Sequence, residues 1–220
     1  MMLRIAGLLD PGTLAALQDA LADPRLFADG RATAGWHARA VKHNLQARGG
    51  GLVDGALAQI ERALLGHEVF VAAARPKAIV RLLISRYEPG MAYGSHVDDA
   101  LMDGVRTDLS FTLFIADPES YEGGALVIDD AYGEREVKLP AGELFLYPST
   151  TLHRVAAVTE GIRLAAVGWV RSFVRDPGRR EILFDLETAV RAVHARDGKS
   201  PLFDTLAKTR TNLLRLWAED

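Results

Sequence analysis

Arg106-Thr107-Asp108-Leu109-Ser110-Phe111-Thr112-Leu113-Phe114-Ile115-Ala116 alternates with a period of two: Leu109, Phe111, Leu113 and Ile115 fall on one face, Asp108, Ser110, Thr112 and Phe114 on the other. Successive side chains leave opposite faces of extended chain, so the stretch is a strand. Upstream, Ala78 to Glu88 reads as another strand, stopped by Pro89-Gly90. Downstream, Gly123-Gly124 opens a strand through Ile128, residues 129–133 turn, and Glu134 to Leu139 alternates again. Pro140-Ala141-Gly142 turns the chain into Glu143 to Tyr147, closed by Pro148. His153 to Val158 and Ile162 to Val174 complete the set, linked by Thr159-Glu160-Gly161. At least seven short strands between Gly and Pro turns imply a β-sandwich or barrel. Because helices precede and follow them, the expected fold class is mainly β with flanking helices (α+β), a jelly roll.

The helices carry their own signatures. Asp10-Pro11 is an N-cap followed by proline at the first helical position, and Leu14, Leu17 and Leu21 then share a face until Pro24. A second helix is expected from about Val53 to His67, with Leu57, Ile60 and Leu64 inward. Asp176-Pro177 repeats the cap, and Leu183, Leu186, Val190 and Val193 give amphipathic spacing to about Arg196. Gly198 to Pro201 breaks that helix, and a last one runs from about Leu202 to Trp217. Residues 1–175 are therefore expected to form a jelly-roll unit with N-terminal helices, and 176–220 a helical extension packed on it or on a second copy in a homodimer. Between Gly35 and Gly49, the segment Ala40 to Gln46 reads as a strand with alternating character.

The composition narrows the function classes. A formal charge of −3 over 220 residues, with scattered basic residues, gives no footprint for nucleic acid or an anionic surface. There is no cysteine, so disulfides and thiolate metal sites are excluded and any metal falls to His, Asp or Glu. Met1 to Leu9 lacks the long apolar core of a signal peptide, and no stretch approaches the ~20 apolar residues of a membrane span. The expected location is the cytoplasm.

The chemistry gathers in Tyr93-Gly94-Ser95-His96-Val97-Asp98-Asp99, with His153 and Arg163 further on. His96 and Asp98 are two apart, on one face of extended chain. Taken alone, a His-x-Asp pair is weak and is equally explained by a hydrogen bond within a loop; His153 alone is more often a satisfied core or surface residue. Together, two imidazoles and a carboxylate on one face of a metal leave its other positions open, as in non-haem Fe(II) oxygenases. Arg163 sits in Ile162-Arg163-Leu164-Ala165-Ala166-Val167, a strand apolar on both faces. A guanidinium there needs an anion, either an internal Asp or Glu or a cosubstrate carboxylate, and the neighbouring ligand set favours the cosubstrate.

Arg86-Tyr87-x5-Tyr93-x2-His96-x-Asp98, with Leu152-His153-Arg154-Val155 and Arg163, resembles the prolyl 4-hydroxylase-like Fe(II)/2-oxoglutarate dioxygenases, and within them the bacterial PKHD-type hydroxylases. Residues 31–35, Val41-Lys42-x-Asn44-x-Gln46, Arg106 to Ser110, Gly123 to Ile128, Leu146 to Ser149, Val174-Arg175-Asp176 and Leu183 to Leu186 are similar to that family's segments, so the likeness covers nearly the whole chain. The resemblance implies a double-stranded β-helix with iron on His96, Asp98 and His153 and 2-oxoglutarate on Arg163. It also implies hydroxylation of a peptide side chain, an amino acid or a siderophore-like small molecule by O2, with release of succinate and CO2, and it admits ascorbate as reductant. Tyr87 matches a tyrosine near the cosubstrate; a packed aromatic at a strand end explains it equally well. Tyr93 is a weaker case. Lys42, Asn44 and Gln46 fit either the site's entrance or an exposed edge strand.

Two other readings use the same ligands. A zinc hydrolase would need two His, one Asp and a water, yet leaves Arg163 idle and has no evident Glu base. A cupin-like binding protein would use the metal only as a brace.

Overall fold

The computed structural model describes residues 1–33, 35 and 38–219, in which sixteen strands and five α-helices are present. Ala34, inside the family-like segment 31–35, lies outside the described residues. Strands β1 (Leu3–Ile5), β2 (Phe27–Asp29), β3 (Lys42–His43), β4 (Leu45–Ala47), β5 (Pro76–Tyr87), β6 (Ala92–His96), β7 (Leu101–Met102) and β8 (Val105–Arg106) lead to β9 (Leu109–Phe114). After it come β10 (Tyr121–Gly123), β11 (Leu126–Asp130), β12 (Gly133–Val137), β13 (Leu144–Pro148), β14 (Leu152–Val155), β15 (Val158–Gly161) and β16 (Arg163–Ser172). The helices are α1 (Pro11–Ala20), α2 (Gly51–Gly66), α3 (Glu68–Ala74), α4 (Pro177–Asp197) and α5 (Pro201–Trp217).

Two antiparallel sheets dominate: seven strands in the order β1-β13-β9-β16-β5-β4-β2, and five in the order β12-β11-β14-β6-β3. Neither closes into a barrel. β9 lies inside the larger sheet and shows why its alternation matters. Leu109, Phe111 and Leu113 join Leu17, Leu21, Val53, Ile60, Leu64 and Phe70 in one core, sealing helices α1 to α3 onto the sheet. On the other side Phe114 packs with Leu126, Ile128, Phe145 and Tyr147 between the sheets. Every residue of β9 is therefore buried, the polar Ser110 and Thr112 included. Close packing at β9 also fixes Gly168 of β16, opposite Phe111 in register: a Cβ there would stand 2.5 Å from the Phe111 ring.

The helix caps are those expected. Asp10 accepts hydrogen bonds from the Gly12 and Thr13 amides at 3.0 Å, and Asp176 accepts one from Arg179 at 2.7 Å. α4 packs on α5 and α3, and its Glu187 gathers Arg210 at 2.7 Å, Arg191 at 3.1 Å and Arg75 at 3.4 Å.

Four local expectations change. Ala40 to Gln46 is not one strand: β3 belongs to the five-stranded sheet and β4 to the seven-stranded one, with Asn44 at the crossing. Thr159-Glu160-Gly161 is not a turn but most of β15, which pairs with β10. β11 runs on to Asp130, so the turn after it narrows to Ala131-Tyr132, with the Tyr132 amide donating to Asp130 at 2.8 Å. Finally, an additional helix α3 follows α2, capped at its start by His67, whose Nδ1 accepts from the Phe70 amide, and at its end by the left-handed Arg75. Its short, nearly all-apolar run has no amphipathic period to reveal it.

Candidate metal centre

β6 ends on His96 and β14 begins one residue before His153, and the two histidines face each other across this strand pair. Their ring centroids are 4.3 Å apart. Asp98, two residues past His96, brings Oδ1 to 4.0 Å from the Nε2 of His96 and Oδ2 to 3.8 Å from the Nε2 of His153. One ligand atom from each of the three lies within 4.8 Å of the others, a spacing that admits one cation among them.

The other nitrogen of each ring is occupied in the same way. His96 Nδ1–H donates to the Gly94 carbonyl at 2.9 Å, and His153 Nδ1–H to the Thr151 carbonyl at 3.0 Å. A donor at Nδ1 leaves the Nε2 lone pair free for a metal and fixes the ring plane. Burial, and then the neighbouring His153, hold the His96 imidazole below its ordinary pKa, favouring the neutral, ligating form. Tyr93 stacks on His96 at 3.7 Å between centroids, and Tyr147 meets His153 edge-on at 5.1 Å. Ser110 Oγ donates to Asp98 at 2.6 Å and is itself 2.8 Å from Ser149 Oγ. Ser110 thus orients the carboxylate and Ser149 braces Ser110, roles that the sequence reading assigned to neither. For Ser110 the polar half of the β9 alternation carried the signal.

Arg163 opens β16 opposite Tyr87, the last residue of β5. It is 1% exposed, and its Nε, Nη1 and Nη2 have no hydrogen-bond partner. The faces of Tyr87 and Phe114 lie 5.1 and 5.6 Å from the guanidinium carbon, and the buried Tyr121 hydroxyl feels its charge. No internal Asp or Glu answers it among the described residues, which removes that reading of the sequence. Gly124, at φ +63°, keeps the space open, since a Cβ there would fall 3.1 Å from the Arg163 Cδ. A fully buried guanidinium with all its nitrogens unpaired is costly unless an anion joins it.

The ligand triad lines a cavity of roughly 750 Å³, its open mouth included. Tyr87, Tyr93, Tyr147 and Ser110 share that wall, whereas Arg163 does not and lies behind Tyr87. Burial raises the pKa of the Tyr87 hydroxyl, while Arg163 pulls it down. Lys42, Asn44 and Gln46, at 6%, 2% and 6% exposure, also line the cavity, so the edge-strand reading fails for their side chains. β3 is indeed an edge strand, but the crossing to β4 turns these three inward. Burial draws the Lys42 ammonium down to about 8 against the attraction of Asp98 and Asp29.

An imidazole–carboxylate–imidazole face between two antiparallel sheets, with an unanswered guanidinium beyond it, defines a class: oxygenases that pair a non-haem metal with a dicarboxylate. Comparison with known proteins agrees. Residues 82–171 match the 2OG-Fe(II) oxygenase superfamily, and residues 178–219 match the PKHD-type hydroxylase C-terminal domain. The chain belongs to the PKHD-type hydroxylases. It is 56% identical to the PKHD-type hydroxylase of Maricaulis maris over 88% of this chain and 89% of that one. It is 53% identical to that of Synechococcus elongatus over the full length of both. Among solved structures, a Pseudomonas putida prolyl-4-hydroxylase superposes with a TM-score of 0.57 at 22% identity, over 78% of this chain and 92% of that one. A viral collagen prolyl hydroxylase from Paramecium Bursaria Chlorella virus-1 gives 0.56 at 17%, over 78% and 95%. The fold is thus the double-stranded β-helix of these oxygenases, and the protein is a hydroxylase dependent on Fe(II), 2-oxoglutarate and O2.

Proposed function

We propose that His96, Asp98 and His153 hold the iron, that Arg163 receives the distal carboxylate of 2-oxoglutarate, and that Tyr87 borders the cosubstrate. The observation that carries this reading is the convergence of three ligand atoms within 4.8 Å, both imidazoles already fixed through Nδ1. Arg163 adds to it: three unpaired buried nitrogens suit a planar carboxylate in a bidentate grip. When bound, iron and 2-oxoglutarate together activate O2, the cosubstrate leaving as succinate and CO2 and one oxygen atom entering a substrate C–H bond. The chain's own residues orient and exclude. The Gly94 and Thr151 carbonyls hold the imidazoles, Ser110 holds the carboxylate, and the stacked Tyr93 and edge-on Tyr147 keep water from the ligand rings. The zinc-hydrolase alternative gains nothing from this wall, which carries no glutamate among its described residues.

The same reading takes residues 1–175 as the catalytic jelly roll and 176–220 as a helical extension, a division supported by the caps at Asp176 and Ser200. Among the described residues no helix is long and apolar enough to cross a membrane. A cytoplasmic location and a substrate that is a peptide side chain, an amino acid or a siderophore-like small molecule belong to the same proposal. We include ascorbate as the reductant that restores idle iron, and a homodimer through the amphipathic α5. A monomeric mass by sedimentation at micromolar concentration would remove the dimer.

Anaerobic titration with Fe(II) and 2-oxoglutarate, followed by visible absorption, tests the centre. A charge-transfer band is expected in the wild type, and Arg163→Ala should require roughly a hundredfold more 2-oxoglutarate to reach it. A band that forms at wild-type 2-oxoglutarate concentrations in that variant would remove Arg163 from its role.

A further inference from the structure

The cavity wall carries two described cations besides its histidines, and they differ. Arg81 is neutralised by Asp103 at 2.6 Å. Lys42 has no carboxylate partner among the described residues: its Nζ donates to Thr33 Oγ1 at 2.9 Å and stands 5.1 Å over the Tyr93 ring. Both fixed partners are neutral. Asp98 and Asp29 act on Lys42 only at longer range, and Asp29 is already paired with Arg31. Once Asp98 gives its charge to a divalent ion, the larger of these attractions is cancelled. A buried ammonium then faces the cavity with a hydroxyl and an aromatic ring for company, a condition that favours an incoming anion.

Position says which anion. Lys42 pairs in register with Tyr93, and Tyr93 stacks directly on His96. The ammonium is therefore separated from a metal-ligand ring by a single side chain, on the β3–β6 edge of the five-stranded sheet. Arg163 is elsewhere, at the junction of β5 and β16 in the other sheet. Two separate cationic positions suit two separate anionic groups.

We propose that Lys42 anchors the substrate through a carboxylate, so that the hydroxylated molecule is a small acid or an amino-acid-like compound whose oxidised C–H lies a few bonds from that group. The assignment rests on the iron and 2-oxoglutarate reading given above. Thr33 and Gln46 position the lysine: the Thr33 hydroxyl accepts from Nζ and donates to the Gln46 side-chain oxygen. The Tyr93 ring, stacked on His96 and under the ammonium, sets the distance from the lysine to the metal, and the substrate's carbon chain spans it past the ring edge.

The test reads binding rather than turnover. Full-length protein loaded with Mn(II) and saturating 2-oxoglutarate is titrated with N-acetyl amino acids and, separately, with their C-terminal amides. Paramagnetic broadening of the probe protons is followed by NMR. Acids are expected to broaden and amides not. Lys42→Met should raise the half-saturating acid concentration roughly thirtyfold or more, and Lys42→Arg should recover part of the loss. Melting curves identify any variant that fails to fold, in which case the Lys42→Arg comparison and the acid-against-amide contrast in the wild type still decide. Equal broadening by acids and amides would overturn the proposal, as would a Lys42→Met protein whose main defect is in 2-oxoglutarate binding. Failure of the wild type to take up Mn(II) would instead overturn the metal reading itself.

Discussion

The two sheets are built from the same kind of alternating strand and put it to opposite uses. The seven-stranded sheet buries Leu109, Phe111, Leu113, Leu144 and Leu146 under three helices. The five-stranded sheet has no such cover: Glu134, Arg135 and Glu136 of β12 are exposed, and its inward face holds His96 and His153. One sheet supplies the stability that the other gives up by facing its neighbour with imidazoles instead of methyl groups. Stability and chemistry are thereby separable by mutation.

Asp98→Ala and Leu113→Ala give the widest separation. The first removes the anionic ligand and should abolish iron binding and turnover, while the metal-free protein melts close to the wild type because Ser110 still has Ser149. The second empties space in the helix-backed core and should cost about 2–5 kcal/mol of unfolding free energy, with iron affinity unchanged wherever the protein is folded. Denaturant melts and iron titrations on both variants check the contrast, and wild-type turnover by Asp98→Ala would end the assignment.

Arg163→Met sharpens the same contrast from inside the site. Replacing an orphaned cation by an apolar side chain of similar length should raise the melting temperature of the metal-free protein. The same change should remove the stabilisation that 2-oxoglutarate gives the loaded wild type, about 2.7 kcal/mol at a hundred times its dissociation constant. A lower melting temperature in the metal-free variant would mean that Arg163 is satisfied by the fold alone. A milder effect is expected at Ser110, whose hydroxyl aims the Asp98 carboxylate: Ser110→Ala should weaken iron binding by roughly 10- to 100-fold, measured by competition with a chelator.

The smallest effect lies away from both sheets. Burial alone would raise the pKa of Glu187, but Arg210, Arg191 and Arg75 more than reverse it and hold the carboxyl below its ordinary range. A carboxylate depressed in the folded state adds stability above its unfolded pKa, and that stability is lost as the pH falls through the folded value. Glu187→Gln should therefore cost about 2 kcal/mol at neutral pH, with the gap from the wild type closing below about pH 4.5, near the unfolded value. Melting curves across pH 3 to 7 (roughly the range in which carboxyls titrate) would show it, and a gap independent of pH would assign the loss to packing.

Much of the fold and of the candidate site was legible in the sequence because it was written in short periods. The alternation from Arg106 to Ala116 gave β9 with both faces, and the Asp-Pro pairs gave the starts of α1 and α4 to the residue. His96, Asp98 and His153 were readable as a set because histidine is scarce here, six in 220 residues, and two imidazoles with a carboxylate suit one metal. What stayed hidden depends on long-range pairing. β15 has no period of its own and exists as a strand because Tyr121 to Gly123 lies beside it. The inward turn of Lys42, Asn44 and Gln46 follows from a change of sheet between β3 and β4, which no local pattern encodes. Ser110 and Ser149, 39 residues apart, meet only through the β9–β13 pairing.

That change of sheet has an evolutionary consequence. The same few residues stitch the two layers together and furnish the polar wall of the cavity, so a substitution that retunes what the enzyme accepts also loosens a seam of its framework. Asn44 shows how little slack there is: its side-chain oxygen would stand 2.1 Å from any Cβ placed at Gly30. Drift in substrate preference along this strip must therefore travel with compensating change elsewhere, whereas Arg81 and Trp169 on the same cavity wall belong to β5 and β16 and take no part in the crossing.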